Sequence, residues 1–237
     1  ADDPASLPAA KRRQLRRILA DEGLEFVGLH AVLQTPKGLH LTTSGAALRQ
    51  RSWEYFQRMI DLCGDLGAGS VLVLGSARQR AAASPAEVPD AVARLVEGLR
   101  ACAPRAQAAR VKVLMEPLAP HLCNVVTTLA EAMSVVRRVN SPAIATIFDT
   151  HNTAAENESP RELVLRYREH LAHVHLNEMD GRHPGAGDYD FRPLFRALRE
   201  IRYRGWVSVE VFDFTPGGRT IAEESYRYLR RVEAELG

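Results

Sequence analysis

SPAIATIFDTHN, residues 141–152, decides the fold. It enters through Pro142, continues as a short apolar run rich in isoleucine and threonine, and ends abruptly in Asp149-Thr150-His151-Asn152. Such a run reads as a buried strand that delivers polar groups at its C-terminal tip. In α/β proteins that tip is where chemistry is kept.

Three more stretches carry the same signature. Val111-Lys-Val-Leu-Met-Glu116 runs into a carboxylate, Ala172-His-Val-His175 into an imidazole, and Trp206-Val-Ser-Val-Glu210 into another carboxylate. A loop and a helix-like pattern follow each one. The gaps between Glu116, Asp149, His175 and Glu210 are each about 30 residues, close to one strand-helix unit of a barrel that fits eight units into about 250 residues. Four candidate ligands therefore sit on four consecutive strand ends, and in a parallel barrel such positions converge on the axis.

Working outward, the first half repeats the rhythm. A helix over Lys11 to Asp21 precedes a strand read from Leu24 to Leu33, and a helix from about Leu48 to Leu66 presents Trp53, Phe56, Ile60 and Cys63 on one face. Val71 to Leu74 is an apolar strand, and the helix after Ser84-Pro85 reaches about Ala109 with an interruption expected at Pro104. In the second half, helices are expected from about Thr128 to Val139, with Thr127 or Thr128 as cap and Glu131 in the first turn, from Pro160 to His170, from Pro193 to Ile201, and up to Leu236. Alternation of this kind implies a parallel sheet within one α/β domain, residues 1–237, since no linker or composition break divides it.

Six strands can be counted, starting near Leu24, Val71, Val111, Ile144, Ala172 and Val207, whereas a closed (β/α)8 TIM barrel needs eight. The reading is a TIM barrel lacking about the first two strands at its N-terminus. An open six-stranded sheet is the alternative.

Composition narrows the function classes. The 237 residues are 46% hydrophobic and 25% charged, enough for a large core, and a net charge of +2 without a basic stripe gives no strong pull toward nucleic acid or an anionic membrane. No apolar run approaches the about 18 residues of a spanning helix, and the opening ADDPASLPAAKRR has no apolar segment of a secretory signal. Cys63, Cys102 and Cys123 are odd in number and well separated, which argues against a disulfide framework and for a reducing cytoplasm. A homo-oligomer is compatible with this composition.

Three carboxylates and one imidazole brought together would repel unless one acid protonated or a divalent cation joined them. Oxygen-rich ligation with one nitrogen and no sulfur favours Mn²⁺ or Mg²⁺, with Co²⁺ or Zn²⁺ compatible. Two remaining octahedral positions suit a vicinal hydroxy-ketone. The cation would polarise its carbonyl and stabilise the enediolate formed when the neighbouring C–H loses its proton. Glu116 and Glu210, on separated strands, are the candidate acid and base.

The runs M-E-P-L, F-D-T-H-N, H-V-H-L-N-E with a downstream R-H-P-G-A-G-D, and V-S-V-E-V-F resemble the xylose-isomerase-like sugar isomerase/epimerase superfamily, in particular its D-tagatose 3-epimerase-like members. The resemblance spans about Leu24 to the C-terminus. It implies an eight-stranded barrel, one divalent metal held by Glu116, Asp149, His175 and Glu210, an acid/base pair in Glu116 and Glu210, and a small sugar as partner. It also implies substrate contacts from His151 and Arg182. Three departures stand out: His151 is two rather than three positions after Asp149, Arg182 is one position farther from His175, and Leu122 occupies the place of a second loop glutamate.

Bland readings compete at the other positions. His173 shares a strand face with His175 and reads as a packed neighbour. His30 reads equally as pocket lining or interior histidine. His40, His121 and His183 read as solvated, Arg78 and Arg80 as partners of acidic neighbours, and Trp53 and Trp206 as core or pocket wall. Pro184-Gly-Ala-Gly187 lacks the lysine and hydroxyl of a phosphate loop. Two other function classes remain open: a non-catalytic sugar-binding barrel, and an apurinic-endonuclease-like metal hydrolase.

Overall fold

The computed structural model describes residues 3–237. Seven helices of at least eight residues alternate with six strands: α1 (Ala9–Asp21), β1 (Gly28–Leu29), α2 (Ala46–Leu66), β2 (Val71–Leu74), α3 (Val88–Ala109), β3 (Lys112–Met115), α4 (Leu129–Val139), β4 (Ile144–Asp149), α5 (Pro160–Tyr167), β5 (Leu171–Leu176), α6 (Arg192–Glu200), β6 (Trp206–Val209) and α7 (Gly218–Glu235). Strand order follows sequence order from β1 to β6, and the β1/β2, β2/β3, β3/β4 and β5/β6 pairs are parallel. All six residues of β4 are buried, as expected for a strand covered on both faces. Among the described residues no helix is long and apolar enough to cross a membrane.

The chain divides into two compact units, the first ending at Thr146 and the second running from Ile147 to Gly237. The division falls inside β4, which explains why no linker marks it in the sequence.

In the first unit, α2 buries Trp53, Tyr55, Phe56, Met59, Ile60, Leu62 and Cys63. The indole N–H of Trp53 donates to the Leu41 carbonyl at 3.0 Å, so the ring is core and its polar edge is satisfied. Gly98 on α3 is where that ring lies; a Cβ there would overlap it. Helix α4 starts as its sequence requires, with Thr128 as its cap. The Thr128 hydroxyl accepts the Glu131 N–H at 3.2 Å, while the Glu131 carboxylate accepts the Thr127 N–H at 2.6 Å.

Two expectations about this unit need correction. The strand read from Leu24 to Leu33 is only Gly28–Leu29, because Ala31 turns into the left-handed region (φ 54°) and takes the chain out of the sheet. Gly28 itself is required by close approach, since a Cβ there would overlap the Val71 carbonyl oxygen. Pro104 does not interrupt α3, which is continuous from Val88 to Ala109. Both Pro104 and Arg100, whose carbonyl loses its helical donor, are exposed, so water can serve that carbonyl.

In the second unit, Ser159 and Glu162 form a reciprocal capping box around Pro160 at the start of α5. Helix α6 buries Leu194, Ala197 and Leu198, whereas β6 leaves Trp206 51% exposed, so this tryptophan is not core.

Candidate active site

In the first unit, Glu116 lies one residue beyond β3 and is 1% exposed. Its Oε2 is 3.6 Å from Nε2 of His30, which follows β1, so His30 stands beside this carboxylate. Gly75, at the end of β2, makes the room: a Cβ there would overlap Glu116 Oε2 and stand 3.2 Å from His30 Nε2. Only a residue with no side chain fits, a requirement the sequence showed merely as a glycine after an apolar strand.

Arg80 is the main surprise of this unit. Read as the partner of an acidic neighbour, it is instead fully buried, and its guanidinium donates to four main-chain carbonyls: Leu74 at 2.6 Å, Glu116 at 2.7 Å, Val125 at 3.2 Å and Val126 at 3.3 Å. It ties the end of β2 to the end of β3 and to the loop that follows. Burial pushes its pKa below the usual guanidinium value, a cost that these acceptors offset. One of them, Val126, holds the left-handed backbone (φ 60°) that a β-branched residue rarely takes.

The second unit gathers three of the expected ligands. Asp149 is the last residue of β4, His175 the penultimate residue of β5, and Glu210 follows β6. His175 Nδ1 stands 3.1 Å from Glu210 Oε2 and 3.6 Å from Asp149 Oδ2, with the side chains almost fully enclosed. One imidazole nitrogen can present a single proton or a single lone pair, so it donates to only one carboxylate at a time. A cation at this point would engage the nitrogen and both acids together, so the donor set fits a divalent ion better than a shared proton. The other Asp149 oxygen accepts the Asn152 N–H at 3.2 Å, which orients the carboxylate. His173, on the same strand face, packs edge-on against His175 with ring centroids 5.1 Å apart, the packed-neighbour role expected of it.

His151 opens a short 3-10 turn after β4 and is half-buried, its ring 5.1 Å from that of Phe212. Its N–H donates to Asn177 Oδ1 at 2.8 Å. Thr150 completes the join: its hydroxyl lies 2.6 Å from both the Asn177 carbonyl and Asn177 Oδ1, and accepts the Asn177 N–H at 2.8 Å. Arg182 is placed differently. Its Nε donates to Asp180 Oδ2 at 2.7 Å and the side chain is well exposed. The loop around it is organised by buried Glu178, whose two carboxylate oxygens accept the N–H groups of Gly185 at 2.8 Å and Tyr189 at 2.9 Å.

Three residues were missed or misread. Tyr189 had no local signal; burial first, then the Asp149 carboxylate, pushes its phenol up to about 12, which keeps it protonated. His183, expected in solvent, is 5% exposed with Nε2 3.0 Å from Glu224 Oε2 on α7. His40 is half-buried rather than solvated, and burial lowers its pKa.

Comparison with known proteins identifies the family and the fold. A family model described as xylose isomerase-like TIM barrel matches residues 2–232. Among curated relatives, a probable ketose 3-epimerase of Synechocystis sp. is 23% identical over 216 residues, covering 83% of this chain and 74% of its own. A D-psicose 3-epimerase of Agrobacterium fabrum is 26% identical over 209 residues, covering 88% and 71%. Among solved structures, a D-psicose 3-epimerase in the presence of D-fructose superposes with a TM-score of 0.81 at 21% identity, over 96% of this chain and 84% of that one. The Escherichia coli 3-keto-D-glucoside 4-epimerase gives 0.82 at 19% identity, over 94% and 85%. At these identities the structural likeness establishes the fold, a TIM barrel. With the family model covering nearly the whole chain, this protein belongs to the xylose isomerase-like TIM barrel family.

Proposed function

We propose that this chain is a divalent-metal-dependent isomerase or epimerase of a keto-sugar or related polyol, acting by removal of the proton next to a carbonyl. The observation that carries the reading is the convergence of Glu210 and Asp149 on His175 Nδ1, at strand ends, in a family whose curated relatives here include ketose 3-epimerases. We assign Glu116, from the equivalent position after β3, as the fourth ligand. Mn²⁺ is the preferred ion by ligand chemistry, with Mg²⁺, Co²⁺ and Zn²⁺ compatible.

When bound, such an ion polarises the substrate carbonyl and stabilises the enediolate. The chain's own residues supply the rest. Glu116 and Glu210 act as base and acid, one accepting the α-proton and the other returning it. Asp149 stays oriented by the Asn152 N–H, and His175 is braced by His173. His151 is the proposed contact to a sugar oxygen. Arg182 would join it after exchanging Asp180 for a substrate oxygen. A reducing cytoplasm is the compartment we propose, and the three buried free thiols support that reading.

The test is solvent exchange: ketohexoses and 3-keto-glycosides in D₂O should acquire deuterium next to the carbonyl with Mn²⁺ present, and should stop doing so with EDTA. Silence of every ketose and keto-glycoside tried would leave a non-catalytic sugar-binding protein. In the same preparation, His175→Ala should weaken Mn²⁺ binding by about 100-fold, measured by electron paramagnetic resonance titration. An unchanged Mn²⁺ affinity removes His175 from the ligand set.

A further inference from the structure

Asn177 is a residue the functional reading leaves unused. It belongs to the run His173-Val-His175-Leu-Asn177-Glu178 and lies two residues beyond His175, so along the strand direction it continues the face that carries both histidines. It is completely buried. Its side-chain oxygen is committed: Oδ1 accepts the His151 N–H at 2.8 Å and lies 2.6 Å from the Thr150 hydroxyl. The His151 N–H fixes the amide's orientation, because Nδ2 could not accept it. The other half of the amide is not committed, for Nδ2 is buried and finds no hydrogen-bond acceptor among the described residues.

A buried donor with no acceptor is costly and uncommon in native proteins, so its retention calls for an acceptor from outside the chain. The neighbouring features say what kind. The amide sits at the C-terminal end of β5, between the residue proposed to hold metal and the residue proposed to touch sugar, where the arriving molecule carries several hydroxyl oxygens.

We propose that Asn177 is a substrate-binding residue: its Nδ2–H₂ donates to a hydroxyl or carbonyl oxygen of the keto-sugar, while its Oδ1 holds the turn bearing His151 in place. The proposal rests on the sugar-enzyme reading above. It also accounts for the unusual spacing of His151. With Thr150 and His151 both bound to Asn177, the turn after Asp149 is set by this residue across the β4 and β5 ends, not by the length of the Asp149 to His151 segment. Asn177 therefore serves two neighbouring groups at once.

Asn177→Asp keeps the acceptor and the shape but removes the donor. Because it also adds a charge, Asn177→Ser is measured beside it as a neutral control. On the ketose that the wild type turns over best, both variants should raise KM by about tenfold, with kcat within about threefold and Mn²⁺ affinity within about twofold of wild type. A second readout is independent of turnover. With side-chain ¹⁵N-labelled asparagine and Mg²⁺ as a diamagnetic ion, the Asn177 amide resonance, assigned by its loss in Asn177→Ser, should shift on adding that ketose. If the wild type exchanges α-protons but both variants keep its KM and the resonance does not move, the Asn177 assignment is wrong and the enzyme reading stands. If the wild type neither exchanges nor binds any ketose, the reading and this inference fall together.

Discussion

Glu210→Gln is expected to lower metal-dependent α-proton exchange by about 10³-fold, the range in which positioned acid/base groups act, while the circular dichroism spectrum stays that of the wild type. The amide keeps the size of the carboxylate and can still face His175 Nδ1, which Glu210 Oε2 approaches to 3.1 Å. What it loses is the basicity to accept a proton and the acidity to return one. Glu210 is also a proposed ligand, so the exchange rate is to be read at saturating Mn²⁺, with the ion's affinity measured separately. Wild-type exchange at saturation would contradict the acid/base assignment; a deficit cured entirely by more Mn²⁺ would leave Glu210 a ligand alone.

The second large effect concerns stability. Arg80→Met should destabilise the protein by about 3 kcal/mol and lower Tm by about 10 °C for a chain of this size. Four main-chain carbonyls lose a charged donor, each such bond contributing about 1.5–3 kcal/mol, and the loss is partly offset because a buried charge no longer needs to be desolvated. Arg80→Lys restores the charge without the fork. It can reach one or two of the carbonyls, so it should recover less than half of the deficit. A Tm for Arg80→Met within about 2 °C of wild type would show that water replaces the guanidinium at little cost.

The sequence announces the elements whose signals are local. The apolar run before Asp149, the Thr128/Glu131 cap and the Ser159/Glu162 box each lie within a few residues, and their reading survives nearly unchanged. So do the positions of Glu116, Asp149, His175 and Glu210 at strand ends, because the strand-helix period places them there. Arg80 is different: its acceptors are main-chain carbonyls 6 to 46 residues away, and a carbonyl leaves no trace in residue identity. His183 is illegible for a similar reason, since Glu224 stands 41 residues along the chain. Gly75 could be seen but not interpreted, as nothing before the fold says that a carboxylate from the next strand will lie over it. Arg182 shows the reverse case, a motif position whose side chain is engaged by a neighbour two residues away, Asp180.

The three cysteines offer a practical handle. Each is buried; burial pushes the Cys63 thiol up, and it pushes that of Cys102 up to about 12. Alkylating agents attack the thiolate, so Cys63 and Cys102 are shielded both by their surroundings and by their protonation, and Cys123 by its burial. The native protein carries three silent labelling sites, each of which becomes reactive when the region around it opens. Mass-resolved alkylation over time would then report which parts of the chain open first, with no dye or tag added.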